Sequence, residues 1–278
     1  MSLKVCVLGS SSSGNCTYVA SGKTAILVDA GFSGRETARR LGLIGVGVEA
    51  ISAICVTHEH SDHTAGLAVL HRGGKVALFA NSGTIQGVKA RGGGERLAWN
   101  VFSTGSPFEI GDLRVEPFSV PHDAYDPVGF IVGCEGRRVG VVTDMGMVTG
   151  LIRERLRTCN AIVIEANHDE LLLKNADRPW HLKQRIFSRQ GHLSNEHAGD
   201  VLAEVAGPHL EAVFLAHLSD QCNRPELAVS AVKDALKKKG ISHVAVHLTA
   251  KDKVSEIWDG SGEEAGCLRS DVRDGGLV

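Results

Sequence analysis

The chain has 278 residues, 43% hydrophobic and 22% charged, enough to bury a full core as one large soluble domain or two small ones. A formal net charge of −2 excludes a whole-molecule field that would draw in nucleic acid or an anionic membrane, so any polyanion site must be local. No apolar run reaches the roughly 18 residues of a membrane span, no export signal opens the chain, and the 7 cysteines are scattered without a Cys-x-x-Cys pair, so a cytoplasmic protein with buried thiols and no membrane partner is expected.

Short β-branched runs cut by glycine (33, against 7 prolines) read as an α/β protein with many tight turns. Strands are expected over residues 4–8, 17–20 and 25–29, with a Ser/Gly turn from Ser10 to Asn15 between the first two. A helix over 34–41 then leads to a strand over 53–57, a helix over 64–72, a strand over 76–79, a helix over 83–91 and a strand over 99–103. The second half reads as strands over 113–120, 129–134 and 138–143, a helix over 148–157 and a strand over 161–165. It continues with a helix over 195–205, a strand over 212–216, a helix over 225–239 and a strand over 243–247. Ser82, Thr149 and Ser194 are the expected N-caps, because a side-chain oxygen there can accept from the free amides of the first turn. Hairpin-like pairs in both halves, each with helices, suggest two αβ units packed sheet to sheet with helices outside. No linker divides the halves, so residues 3–258 are expected to form one domain. The Gly-, Ser- and acid-rich residues 259–278 are expected to form a weakly ordered tail.

The expected strand 53–57 runs straight into His58-Glu59-His60-Ser61-Asp62-His63. Ligands at a strand end are held on a rigid element yet open to a cleft. His58 and His60 are two apart, so in extended backbone they point the same way and can grip one ion. Asp62 and His63 follow where the chain turns into a helix, and that turn can aim them at a second ion about 3.5–4 Å from the first. Neutral imidazoles suit a borderline cation, and a hard carboxylate adds the negative charge that holds two cations together. One hexad cannot complete two sites. Further donors stand at other strand ends: His122 after 113–120, Asp144 after 138–143 and His217 after 212–216. Each alone reads as an ordinary turn residue, but with the hexad they read as a divided ligand set.

This series, with Asp29 ahead of it at the end of 25–29, resembles the metallo-β-lactamase superfamily over almost the whole chain. The resemblance implies an α/β four-layer αβ/βα sandwich, with two mixed sheets face to face and helices outside. It also implies that His58, His60 and His122 bind one metal, that Asp62, His63 and His217 bind the second, and that Asp144 bridges both. Asp29 would support the loop carrying the hexad. Two divalent ions (Zn²⁺, Mn²⁺ or Fe²⁺) are the implied cofactors. True β-lactamases with two zincs typically place a cysteine where this chain has Asp144, which points instead to the glyoxalase, lactonase and phosphodiesterase branches.

Other segments favour the phosphodiesterases. Ser10-Ser11-Ser12-Ser13-Gly14-Asn15, the stretch from His122 to Phe130, Glu165-Ala166-Asn167-His168-Asp169 and Gly191-His192-Leu193-Ser194-Asn195 closely resemble the YycJ (WalJ) family of bacterial nucleases, reported to act as 5′ to 3′ DNA exonucleases. Glu165 and His192 are also similar to a strand-end and helix-start pair of ribonuclease Z, which implies proton handling. The stretch between Asp144 and His217 is too short for the inserted domain of β-CASP nucleases. Independently of resemblance, residues 174–189 hold Lys174, Arg178, Lys183, Arg185 and Arg189 against one acid, Asp177, with Trp180 among them. Cations neutralise phosphates and an aromatic ring stacks on a base. The expected enzyme is thus a metal-dependent phosphodiesterase acting on nucleic acid, DNA ahead of RNA, with a metal-bridging hydroxide as nucleophile. Asp62 orients it, His192 serves the leaving oxygen and Glu165 holds the His192 tautomer. His168 is expected near the phosphate, and Ser12, Asn15, Arg178, Lys183 and Arg185 on the substrate. The alternative is a hydrolase of a small molecule: a cyclic phosphodiester, thioester or lactone.

Overall fold

The computed structural model describes residues 2–92, 94 and 96–261. Its first half runs β1 (Lys4–Ser11), β2 (Gly14–Ala20), β3 (Ala25–Val28), α1 (Gly34–Leu43), β4 (Ile51–Cys55), α2 (Ser61–Thr64), α3 (Leu67–Leu70), β5 (Ala77–Ala80), α4 (Ser82–Ala90) and β6 (Trp99–Val101). The second half runs β7 (Phe108–Ile110), β8 (Leu113–Ser119), β9 (Val128–Cys134), β10 (Arg137–Val142), α5 (Gly150–Leu156), β11 (Ala161–Glu165), α6 (Glu170–Asn175) and α7 (Trp180–Phe187). It ends with α8 (Asn195–Val205), β12 (Ala212–Ala216), α9 (Pro225–Lys238), β13 (Ala245–Leu248) and β14 (Trp258–Asp259). Two seven-stranded sheets result, ordered β14-β1-β2-β3-β4-β5-β6 and β13-β12-β11-β10-β9-β8-β7. Both are mixed: β3 to β6 and β10 to β13 pair in parallel, and the remaining neighbours antiparallel.

The strand sequences set the layers. Successive side chains point to opposite faces, and the central parallel strands are apolar on both. Ala161 and Val163 of β11 join Val5, Val28, Phe130 and Phe214 between the sheets. Ile162 and Ile164 turn outward to Ile152 of α5, Leu202 of α8 and Val232 of α9. In the other sheet Ile26 and Val28 face inward, while Leu27 meets Leu41 of α1 and Leu67 of α3. A strand buried on both faces needs cover on both, which gives the expected αβ/βα order. The six described cysteines are free and buried. No helix among the described residues is long and apolar enough to cross a membrane.

Several expectations shift. The helix expected over 64–72 is broken into α2 and α3 around Gly66, whose amide donates to the carbonyl of Ala30 (2.8 Å) and where a Cβ would collide with the Phe32 carbonyl oxygen. The cap of α4 is Asn81, whose side chain accepts from the Thr84 amide at 2.8 Å, and Ser82 is the first helical residue instead. Thr149 and Ser194 do cap their helices. The strands β7 and β14 are too short to leave a periodic signal. Helices α6 and α7 lack a buried stripe, with only Leu173 buried between them. Asp259 pairs with Lys4 in β14 and the Gly260 amide reaches the Leu3 carbonyl, so regular pairing passes residue 258. The rest of the expected tail, 262–278, lies outside the described residues.

Parallel strands bring their C-terminal ends to one edge. Asp29 follows β3, His58 follows β4, Asp144 follows β10, Glu165 ends β11 and His217 follows β12. The tip of the β1–β2 hairpin closes on this edge, since the Gly31 amide donates to the Asn15 carbonyl (2.9 Å) and the His217 amide to Ser10 Oγ (2.8 Å). Gly31 sits where a Cβ would collide with the Asp62 carbonyl. The Gly31→Ala variant should therefore push the hexad loop away from the hairpin and lose about 1–3 kcal/mol in chemical denaturation. An unchanged midpoint would show that the two backbones are not in register.

Candidate metal centre

Four imidazoles are oriented the same way, by partners behind them. His63 Nδ1 donates to Asp29 Oδ2 at 2.7 Å. His58 Nδ1 meets Thr57 Oγ1 at 3.0 Å, and that hydroxyl donates in turn to Asp29. The ring of His122 gives its Nδ1–H to the carbonyl of Gly191 (3.2 Å), and His217 gives its own to Glu165 Oε1 (2.9 Å). Fixing Nδ1–H outward leaves each Nε2 with its lone pair turned inward, the tautomer a metal requires. His60 presents Nδ1, 3.4 Å from His122 Nε2.

The donors converge in three overlapping groups. His58, His60 and His122 lie close enough together to hold one cation, as do His58, His63 and Asp144, and Asp144, Glu165, His192 and His217. Around the other position, His63 Nε2 lies 3.4 Å from Asp62 Oδ2 and 3.1 Å from Asp144 Oδ2, and His217 Nε2 lies 3.7 Å from Asp62 Oδ2. Asp144 stands between the groups, with Oδ1 3.1 Å from His217 Nδ1 and 4.0 Å from His122 Nε2. His58 Nε2 and His217 Nε2 are buried without any hydrogen-bond partner. Buried polar atoms are rarely left so, and nitrogen and carboxylate donors converging there fit divalent ions.

The electrostatics say the same. Burial disfavours charge on His63, but the carboxylates of Asp29, Asp144 and Asp62 outweigh it and hold the imidazolium well above its ordinary range. His217 is pushed up to about 10, burial again being outweighed by Asp144 and Glu165. Burial and then the charge on His63 drive His58 well below the usual value.

Three residues at the strand ends, Asp29, Asp144 and His217, have left-handed backbone, with φ of 63°, 53° and 56°. Non-glycine residues rarely adopt this conformation, and such strain gathers at functional sites. No residue-type signal in the sequence marks it.

Glu165 is fully buried and takes four donors. Oε1 accepts from His192 Nδ1 (2.7 Å) and His217 Nδ1 (2.9 Å), while Oε2 accepts from the amides of Met145 (2.9 Å) and Leu193 (3.1 Å). Burial raises its pKa, but the His192 charge and the bonds from both histidines bring it down to about 2. In return the Glu165 carboxylate outweighs burial at His192 and raises its pKa. The ring of His192 is partly exposed and lines a cleft of about 210 Å³ with Ser12, Asp123, Asn167, Arg178 and Arg185.

The expected substrate residues divide. Ser12, Arg178 and Arg185 line that cleft. Arg185 pairs with Asp123 at 2.5 Å, and Arg178 donates to Gln221 Oε1 at 2.6 and 2.9 Å. Lys183 points elsewhere, its ammonium donating to the Lys174 carbonyl at 2.8 Å. Asn15 is corrected: it is buried, its amide donating to Asp62 Oδ2 (3.0 Å) and the Ser11 carbonyl (3.0 Å) and its oxygen accepting from Ser10 Oγ (2.7 Å). It positions Asp62 and offers no donor to a substrate. His168 is also buried, with its ring edge-on to Phe187 (5.4 Å), and burial holds its pKa down to about 4. It joins none of the metal-competent groups among the described residues. Thr57, Ser10 and the Gly191 carbonyl escaped the sequence reading, because their roles depend on folded contacts alone.

The Asp29→Asn variant replaces one acceptor oxygen by an amide that cannot receive both the His63 and Thr57 protons. Its affinity for Zn²⁺ should fall about 10–100-fold by calorimetry with the circular dichroism spectrum retained. Unaltered affinity would mean that the Asp29 contact does not orient His63.

A family model described as a beta-lactamase superfamily domain matches residues 24–217. An exodeoxyribonuclease YycJ from Bacillus anthracis is 37% identical over 86% of this chain and 91% of its own length. An exodeoxyribonuclease WalJ from Streptococcus pneumoniae is 36% identical over 81% of this chain and 85% of its own. Among solved structures, the metallo-beta-lactamase fold protein YhfI from Bacillus subtilis superposes with a TM-score of 0.71, covering 93% of this chain and 99% of that one at 16% identity, a likeness of fold.

Proposed function

This chain belongs to the metallo-β-lactamase superfamily and, within it, to the family of the YycJ and WalJ proteins, and from that premise we propose that it is a two-metal phosphodiesterase that degrades DNA from an end. The observation that carries the reading is the Glu165 carboxylate. It joins a donor of the metal groups, His217, to a cleft-facing acid, His192, beside two arginines. Exodeoxyribonuclease is the printed name of both relatives, which supports DNA as substrate.

His58, His60 and His122 would hold one divalent ion and Asp62, His63 and His217 the other, with Asp144 shared. When bound, such ions lower the pKa of water toward about 7 and draw charge from a phosphoryl oxygen. The protein's own groups do the rest. Asp62, fixed by Asn15, is an acceptor at the mouth of the second group and orients the attacking water. Arg178 and Arg185 neutralise backbone phosphates, and Ser12 adds a hydroxyl donor across the cleft. Because Glu165 takes the Nδ1 proton of His192, the other ring nitrogen is the one available to the cleft. The raised pKa keeps a proton there for the departing oxygen, so His192 acts as general acid. Trp180, 61% exposed on α7, is a platform for an unpaired base.

The direct test is digestion of end-labelled single- and double-stranded DNA and RNA by protein loaded with Mn²⁺ or Zn²⁺, beside Asp144→Ala. Stepwise release of nucleotides from DNA, at least about a hundredfold slower in the variant, is the expected result. Polymers left intact while bis(p-nitrophenyl) phosphate or a thioester is turned over would overturn it in favour of a small-molecule hydrolase.

A further inference from the structure

Helix α4 holds Gly83 and Gly87 one turn apart, on the same face. Gly87 lies mid-helix, where glycine weakens the element because it gives up the most backbone freedom on ordering. Both positions are explained by what lies beneath them. At Gly83 a Cβ would collide with the Cβ of Asp126, and at Gly87 with the Cγ and Cδ of Glu59. The two acids come from opposite sheets: Glu59 belongs to the hexad that leaves β4, and Asp126 to the loop 120–127 that joins β8 to β9 and carries His122.

His58 and His60 turn toward one donor group, and Glu59 between them turns the other way, as alternation along a chain leaving a strand dictates. It is 2% exposed, and its two carboxylate oxygens accept the Tyr125 amide at 3.3 and 3.4 Å. A carboxylate taken out of water needs donors, and this amide, three residues beyond His122, faces both oxygens. The same helix fastens the next residue of the loop. Asn81, the cap of α4, donates Nδ2 to the Asp126 carbonyl (2.8 Å), and Thr104 Oγ1 donates to the Asp126 carboxylate (3.2 Å). The Val128 amide adds a backbone tie to the Thr57 carbonyl (3.0 Å). Behind the ligands, then, the hexad and the His122 loop are joined, and Glu59 is the side chain that joins them. In front, His60 Nδ1 and His122 Nε2 come within 3.4 Å although their loops spring from opposite sheets.

We propose that Glu59 is a positioning residue of the metal centre: its carboxylate holds the His122 loop against the hexad, so that His58, His60 and His122 meet at one cation. The inference rests on the two-metal reading above and names what keeps its three-histidine group assembled. Glu59 faces away from the ion and acts through the backbone of Tyr125. Its reach is confined to that group, because the remaining donors have other supports: His63 is held by Asp29, Asp62 by Asn15 and His217 by Glu165. Gly87 belongs to the same joint, since a side chain there would displace Glu59.

Stepwise Zn²⁺ binding followed by calorimetry, with anomalous diffraction from crystals loaded at increasing Zn²⁺, resolves the two positions. Glu59→Met keeps the length of the side chain and removes both acceptor oxygens, whereas Glu59→Gln keeps one acceptor for the Tyr125 amide and removes the charge. Glu59→Met should weaken the ion at His58, His60 and His122 about 10–100-fold and leave the ion at Asp62, His63 and His217 within about twofold of wild type. Glu59→Gln should stay within about threefold at both, because the hydrogen bond survives. Gly87→Ala, which alters neither a ligand nor an acceptor, should reproduce the selective loss. Wild-type affinity of Glu59→Met at the three-histidine group would overturn the proposal. Equal losses in the Gln and Met variants would do so too, since charge and not the hydrogen bond would then be operating, as would a loss at both groups together with a lowered unfolding midpoint. A wild-type chain that takes up no second ion would overturn the two-metal reading itself, and the role of Glu59 with it.

Discussion

Ionised carboxylates buried at the strand ends are the constraint on which this site is built. Asp29, Asp144 and Glu165 are each nearly or fully inaccessible, and an isolated buried carboxylate is costly by several kcal/mol. At Glu165 two imidazoles and two amides outweigh burial, and at Asp144 His63 and His217 do, whereas at Asp29 burial outweighs His63 and Thr57 and holds the carboxyl above its usual range. The histidines are correspondingly held by the carboxylates. The result is a lattice in which no member can turn without leaving another unpaired, and that is what fixes the inward nitrogens.

The fold supplies this lattice because the parallel strands of both sheets finish at one edge. Asp29 and the hexad come from one sheet, and Asp144, Glu165 and His217 from the other. The hairpin tip sews the two together: the His217 amide donates to Ser10, Ser10 to Asn15, and Asn15 to Asp62. The edge is asymmetric. The sheet side is buried, whereas the cleft side carries the half-buried Arg178, just ahead of α7, and the exposed Arg185 on it, paired with Gln221 and Asp123. Such exposed pairs contribute little to stability.

Much of this was legible in the sequence, for physical reasons. Ala161–Glu165, Asn195–Val205 and Ala212–Ala216 fall where periodicity placed them, because runs apolar on both faces and a striped helix leave strong patterns. The convergence of His58, His60 and His63 on metal-competent groups was legible because spacing within one strand end is local. His122, Asp144 and His217 were legible as polar residues following apolar runs. What escaped was non-local. Asn15 read as a phosphate donor, yet its amide is spent on Asp62, 47 positions away. Helices α6 and α7 left no stripe since they bury almost nothing. The helix expected over 64–72 broke at Gly66, where another backbone comes too close for a side chain, a contact no helical periodicity records.

The central claim is that two cation sites share Asp144. Metal content by mass spectrometry after equilibrium dialysis against Zn²⁺ or Mn²⁺, with anomalous diffraction from the same loaded protein, tests it most directly. The account predicts two ions per chain, one at His58, His60 and His122 and one at Asp62, His63 and His217. Saturation at a single ion, or anomalous density at neither group, would contradict it.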